Sequence, residues 1–102
     1  MRVISKARLA TFWSKQPRAE KSLRYWYAIV EAARWANIAD MRATLRHADP
    51  VRVRSGNTLY VFNVGGNLYR IAAAVHFNTQ RVYVLRVMTH KEYDGNNWKG
   101  TL

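Results

Sequence analysis

The sequence contains no cysteine, and this absence excludes both disulfide scaffolds and thiolate metal sites. It also lacks any run of about 18 apolar residues, the length that a membrane-spanning helix requires. Five lysines and arginines interrupt the first 20 residues, unlike the continuous apolar stretch of a secretory signal. We therefore expect a cytoplasmic protein without a membrane partner. The length of 102 residues predicts a single domain over residues 1–102.

Acidic residues are scarce. Six Asp and Glu stand against seventeen Lys and Arg, which gives a formal net charge of +11. Most of the cations are arginine, whose planar guanidinium suits phosphate groups. The charge balance favours nucleic acid as a partner over the alternative, a basic surface that serves only solubility.

The residues that usually bind metal ions are isolated from one another. His47, His76 and His90 have no partner at ligand spacing, and only Glu92 and Asp94 lie close together among the carboxylates. A two-metal nuclease requires several clustered acids. We therefore expect neither a metal site nor a cofactor.

Apolar residues follow a helical spacing before about residue 50. A short strand over residues 1–4 is possible, and Ser5 is a candidate N-cap for the helix after it. Pro17 suits the first turn of a second helix, whose apolar stripe repeats every three or four residues. The predicted helices cover residues 6–15, 18–37 and 40–47.

After about residue 50 the apolar spacing becomes two, which is typical of strands. The predicted strands cover residues 51–54, 59–64, 68–77 and 81–88. Gly65-Gly66 is expected to form a two-residue hairpin turn, a commoner role for such a pair than a phosphate-binding loop. Residues 78–80 are expected to form a second turn. A helical half followed by a half of strands predicts an α+β fold.

Alternation along the strands separates the side chains into two faces of the sheet. The face expected to pack on the helices carries Tyr69, Ile71, Ala73, Val75, Phe77, Tyr83, Leu85 and Val87. The opposite face carries Arg70, His76, Arg86 and Asn63, with Val61 opposite Arg70. We interpret this second face as a basic surface that binds RNA.

RNA can be cut without a metal ion through attack by its own 2′-hydroxyl group. The reaction needs a base, an acid for the leaving oxygen, and a cation beside the phosphorane. The stretch around His90, Lys91 and Tyr93 supplies suitable side chains, and Arg54 and Arg70 supply cations on neighbouring strands. The alternative is a short solvated helix capped by Thr89.

Aromatic residues cluster in the second predicted helix, where they could stack on bases. At helical spacing they are more often part of the core, and we favour that role for Tyr25, Trp26, Tyr27 and Trp35. Trp98 stands in a polar stretch, where it could pack back on the domain or contact a partner.

Two segments resemble the HigB toxins of toxin–antitoxin systems, which are RelE-like. They are Tyr-Val-Phe-Asn-Val-Gly-Gly-Asn-Leu-Tyr-Arg at 60–70 and Val-Met-Thr-His-Lys-Glu-Tyr-Asp at 87–94. The order of Phe12-Trp13, a proline, Trp26 and Trp35 is also similar in plan. The resemblance implies a RelE-like fold, with two to three N-terminal helices packed on one face of a small antiparallel sheet.

The resemblance also implies a function. It implies an endoribonuclease that cleaves mRNA, often on the translating ribosome, and the isolated metal-binding residues predict that this enzyme is metal-independent. It further implies neutralisation by a helix-turn-helix antitoxin from the same operon, similar to HigA.

Residue roles follow from the same resemblance. By position, Asn63, Asn67 and Arg70 match the hairpin motif, and His90, Glu92 and Tyr93 match the terminal motif. We expect Arg70 to hold the scissile phosphate and His90 and Tyr93 to serve as acid and base, in an order left open. Glu92 is expected either to orient His90 or to cap a turn. The residues expected to bind RNA are Arg54, Asn63, Asn67, Arg86 and Lys91.

Two alternatives stay open at this point. A non-catalytic RNA-binding module would have the same charge and the same sheet face. A DNA-binding regulator is disfavoured, because the predicted helix pair is rich in aromatic residues, whereas a recognition helix exposes polar ones.

Overall fold

A computed structural model describes the whole chain, residues 1–102. It has four α-helices: α1 (Lys6–Lys15), α2 (Glu20–Ala32), α3 (Ile38–Thr44) and α4 (His90–Asp94). It has five strands: β1 (Arg2–Ile4), β2 (Asp49–Arg52), β3 (Thr58–Val64), β4 (Tyr69–His76) and β5 (Arg81–Thr89). Two 3₁₀ helices cover Pro17–Ala19 and Asn97–Thr101. None of the helices combines the length and the apolar character needed to cross a bilayer.

The five strands form one sheet in the order β1-β5-β4-β3-β2. The strands from β2 to β5 follow one another through turns, so each pairs antiparallel with its neighbour. The short strand β1 is also present, and it lies parallel to the start of β5. The α+β fold is therefore confirmed, with one parallel strand added at the edge of the antiparallel sheet.

The main core lies between the first three helices and one face of the sheet. Leu9, Leu23 and Met41, one from each helix, are completely buried there. Trp26 of α2 meets Phe62 of β3 edge to face, with ring centroids 5.5 Å apart, a geometry that aromatic pairs favour. Trp26 and Trp35 are therefore core residues, as predicted, and Tyr27 packs against the core partly buried. The same prediction is wrong for Tyr25, which is 70% exposed.

The helix boundaries differ from the prediction at the end of α2 and at the start of α3. The helix expected over residues 18–37 ends at Ala32, because Ala33 takes an extended conformation. The third helix begins at Ile38 rather than Asp40, since the Asn37 side chain caps it by accepting from the Asp40 amide at 2.9 Å. Ser5 precedes α1 with a φ of 73° and forms no side-chain cap, so its predicted capping role is wrong.

The loop between β3 and β4 contains four residues, not the two that were predicted. Gly65, Gly66 and Asn67 all have positive φ, and strand pairing ends at Val64 opposite Tyr69. Position 65 also has to be glycine because of crowding, since a Cβ there would lie 3.0 Å from the Tyr69 ring. The longer loop shifts the pairing by two residues, so Asn63 rather than Val61 lies opposite Arg70. A shift of two leaves every side chain on its predicted face.

The loop between β4 and β5 is also one residue longer than predicted, and here the shift changes the faces. Val75 pairs with Val82, so Val82 and Val84 enter the main core. Tyr83 and Leu85 lie on the opposite face, so their predicted packing on the helices is wrong. A bulge at Leu85 then restores the alternation, and Arg86 pairs with Ala72 as a residue of the opposite face.

The face of the sheet away from the first three helices is not open. It carries a second apolar cluster formed by Val53, Leu59, Val61, Ala72, Met88 and Trp98. The C-terminal segment covers this cluster, because Trp98 is 7% exposed and Leu102 packs beside it. The expectation of an accessible basic sheet face is therefore wrong, and Trp98 packs back on the domain.

Candidate active site

Arg70 is the only charged residue that the fold buries, with 6% of its surface exposed. It lies in the middle of the sheet, paired with Asn63 in β3 and Met88 in β5. Its Nη1 donates to the carbonyl oxygens of Asn67, at 2.8 Å, and Tyr69, at 3.0 Å. Its Nη2 lies 2.9 Å from Nδ1 of His90. The guanidinium therefore joins the hairpin loop to the beginning of α4.

This buried cation has no carboxylate partner. The chain forms an ion pair between Arg24 and Glu20 and a contact between His90 and Asp94, and neither includes Arg70. The N–H of Nε and one N–H of Nη2 form no hydrogen bond within the protein. Burying a charge is costly unless its donors are satisfied, so the guanidinium keeps free capacity for an anion.

Helix α4 places His90 and Tyr93 because its first turn is strongly specified. Thr89 and Glu92 form a capping box, in which the Thr89 hydroxyl accepts from the Glu92 amide and the Glu92 carboxylate accepts from the Thr89 amide. The His90 amide also donates to the Leu68 carbonyl at 3.0 Å, which fixes the helix against the hairpin loop. Glu92 is therefore a capping residue, one of the two roles expected for it.

Both ring nitrogens of His90 are engaged, and their partners define the tautomer. Arginine only donates, so Nδ1 accepts from Arg70 and carries no proton. The proton is then on Nε2, which lies 3.0 Å from a carboxylate oxygen of Asp94. The result is a chain from Arg70 through His90 to Asp94, in which the imidazole is neutral and the carboxylate is ready to stabilise a positive charge on it.

Tyr93 completes the group. Its ring lies 5.4 Å from Cζ of Arg70 and stacks on Trp98 at a centroid distance of 5.6 Å. Trp98 in turn donates from its indole nitrogen to the Tyr93 carbonyl at 3.1 Å. The Tyr93 hydroxyl forms no hydrogen bond within the chain, which leaves it free for a ligand. The three residues predicted to be catalytic are thus brought together, although their roles stay a prediction.

The residues expected to bind RNA are placed less uniformly. Asn63 and Asn67 join through their side chains at 3.1 Å beside Arg70. Lys91 is exposed on α4. Arg86 donates to Thr101 at 3.0 Å, and Arg54 lies in the turn after β2, where its side chain forms no hydrogen bond with Arg70 or His90. Binding of RNA by these five residues remains a prediction.

Sequence reasoning did not assign Asp94 to the site. The signal was available, because Asp94 follows His90 by four residues and such pairs meet on one side of a helical turn. The burial of Arg70 was also missed, because we expected it on an accessible face of the sheet, whereas only 6% of its surface is exposed. No three His, Asp or Glu side chains lie close enough together to hold a metal ion.

Comparisons with known proteins identify the family of the chain. The model of the HigB toxin family, described as the RelE-like toxic component of a toxin–antitoxin system, matches residues 19–96. The chain is 31% identical to an mRNA interferase HigB of Escherichia coli O6:H1, over 92% of this chain and 89% of that protein.

A shorter and more similar match is to the mRNA interferase toxin HigB of Escherichia coli K12. It is 63% identical over 35 residues, so the aligned segment spans about a third of either protein. An mRNA interferase HigB of Shigella flexneri aligns to the same extent. The family model covers most of the sequence, and the chain therefore belongs to the HigB family of RelE-like toxins.

Proposed function

We propose that this protein is the toxin of a toxin–antitoxin pair and acts as an endoribonuclease on mRNA, with the translating ribosome presenting the substrate. The observation that carries the proposal is the buried guanidinium of Arg70, which lacks a carboxylate partner and lies between His90 and Tyr93. A phosphodiester group would supply the missing negative charge. The family membership and the net charge of +11 support the same substrate.

The reaction requires no atom beyond the RNA and these side chains. When a phosphate binds Arg70 and draws the Nη2 hydrogen bond away from His90, Nδ1 of His90 is released to accept the proton of the 2′-hydroxyl. The 2′-oxygen then bonds to phosphorus while the bond to the 5′-oxygen breaks, and Tyr93 donates a proton to that leaving oxygen. Asp94 stabilises the imidazolium, and Arg70 the negative charge of the phosphorane. The products are a 2′,3′-cyclic phosphate and a 5′-hydroxyl.

The partner we propose is a helix-turn-helix antitoxin, similar to HigA, that binds through an acidic segment. A protein with a net charge of +11 should associate with such a segment quickly, and the rate should fall as salt is added. The segment cannot lie on the second face of the sheet, because the C-terminal residues already cover it.

The test combines growth and product analysis. Induced expression without the antitoxin should arrest growth. Purified protein, supplied with programmed ribosomes, should cut mRNA with EDTA added at a level that leaves the ribosomes intact, and a 2′-deoxy nucleotide at the cut position should prevent cleavage. His76→Gln is the matched control for His90→Gln, because His76 is an exposed histidine far along β4 from Arg70. A 3′-hydroxyl product with a 5′-phosphate would contradict the mechanism.

A further inference from the structure

A groove of about 510 Å³ runs between α1 and β5 and ends at α4. Arg8 and Lys15 line one wall from α1, Arg86 lies on the β5 side, and Glu92 of α4 lies at one end. The groove therefore reaches α4, the helix that carries His90 and Tyr93, while none of Arg70, His90 and Tyr93 lines it.

The sheet topology explains why the groove exists. Strand β1 pairs with β5 only as far as Tyr83, so the remainder of β5 has no strand on that side. Helix α1 follows β1 directly and lies along the unpaired part, which protects the edge from other strands. Because a helix cannot complete the ladder of the sheet, a channel is left between the two elements.

The bulge in β5 brings two arginines to one point of this channel. Nη1 of Arg86 donates to the Leu85 carbonyl at 3.0 Å, and Nη1 of Arg8 donates to the same oxygen at 3.4 Å. Two guanidinium groups that share one acceptor lie close together and repel each other. The arrangement is favourable only where an anion or solvent compensates for the repulsion.

No carboxylate neutralises this cluster. Neither arginine forms an ion pair, and Lys15 forms none either. The only acid lining the groove is Glu92, whose Oε1 is already bonded to the Thr89 amide in the capping box. Arg8 and Lys15 are seven residues apart on α1, so they lie on one side of the helix about 10 Å from each other along its axis. The α1 wall of the groove thus presents two cations, Arg8 and Lys15, that no carboxylate neutralises.

We infer that this groove binds the phosphate backbone of single-stranded RNA on its way to or from the candidate active site. Arg8 and Arg86 would hold one phosphate at the bulge, and Lys15 a phosphate farther along. The inference rests on the proposed function for its ligand, and it replaces the covered sheet face as the path of the RNA.

The test measures binding without cleavage. The probe is a single-stranded RNA of about 16 nucleotides with 2′-O-methyl groups throughout, which the proposed reaction cannot cut. The double variant Arg8→Gln/Lys15→Gln should bind it roughly two- to tenfold more weakly per lost cation. The slope of log K against log salt should fall by about 0.7 for each lost phosphate contact.

The matched control is Arg34→Gln/Arg52→Gln, which removes the same charge. Both residues are exposed and form no ion pair, and Arg52 belongs to β2, three strands away from β5. This control should keep the salt slope of the parent, because its cations lie outside the groove. Thermal melts of both double variants show whether the fold is retained.

The outcomes separate the inference from the proposed function. If the groove variant has a smaller salt slope than the parent while the parent cuts no RNA in any assay, the groove is confirmed as an RNA-binding site and the endoribonuclease proposal fails. If the parent cuts RNA while the groove variant and the control have equal slopes, the groove is not the path. Loss of antitoxin binding with unchanged RNA binding would show that the groove docks a protein, and an unmodified parent that binds no RNA would also overturn the inference.

Discussion

The replacement of Arg70 by lysine separates the structural and the chemical roles of this residue. Lysine keeps the charge but presents one nitrogen with three donors, whereas the guanidinium uses two nitrogens to reach Asn67, Tyr69 and His90 together. Each hydrogen bond from a charged donor contributes about 1.5–3 kcal/mol. If one of them is lost, the free energy of unfolding should fall by about 1.5–3 kcal/mol.

That loss is smaller than the 5–15 kcal/mol by which such domains are usually stable, so the variant should fold. The melting temperature should fall by roughly 4–8 °C for each kcal/mol. If the guanidinium stabilises the phosphorane, cleavage should slow by about 10²–10³ at temperatures where the variant is fully folded. Arg70→Ala is less informative, because it also opens a cavity in a site where only 6% of the side chain is exposed.

Ile71→Ala provides the control for lost stability. Ile71 is the next residue of β4 and lies in the main core, completely buried, so its truncation should cost about 2–5 kcal/mol without touching the site. The measurement is cleavage by each purified variant beside its thermal melt. Arg70→Lys with a lowered melt and the cleavage rate of the parent would show that the arginine only fastens the hairpin loop to α4.

Three further predictions concern the same group. His90→Gln should lower the cleavage rate by about 10²–10⁴ because it removes the base, while His76→Gln should match the parent. Tyr93→Phe should cause a loss of the same order while the ring still stacks on Trp98, and an active Tyr93→Phe protein would make Tyr93 a packing residue. Asp94→Asn should slow cleavage by about tenfold through the lost charge beside the imidazolium, with less than about 1 kcal/mol of stability lost, because the pair is more than half exposed. A folded Asp94→Asn protein with an unchanged rate would show that His90 works without this partner.

The sequence predicted the strands of the first hairpin to within a residue, since alternation is a direct signal of a sheet with two different faces. The length of its loop was not predictable in the same way. Asn67 adds a third residue with positive φ after the two glycines. Asparagine tolerates this conformation but also adopts others, so its presence does not predict a positive φ. The error was two residues, an even number, so the face of Arg70 was still correct.

The second hairpin shows where the same reasoning fails. Val82, Tyr83, Val84 and Leu85 are all apolar, so the sequence contains no alternation from which a face could be chosen. A shift of one residue then moved each side chain to the other side. The bulge at Leu85 cancels that shift before Arg86. A bulge depends on how two strands pair, so it cannot be predicted from the sequence of one strand.

The C-terminal segment packs back on the sheet beside the site, and Trp98 was the only residue in the sequence that indicated this packing. An indole in a polar stretch has little reason to stay in water, and here it is buried in the second cluster while stacking on Tyr93. Trp98 helps to cover the second face of the sheet, and Arg70 on that face is buried with His90 and Tyr93 of α4 beside its guanidinium. Because Trp98 also holds the Tyr93 backbone, the same contact places the Tyr93 ring against that guanidinium. The residue that makes the sheet face unavailable to RNA is therefore the one that positions Tyr93 for the chemistry proposed beside it.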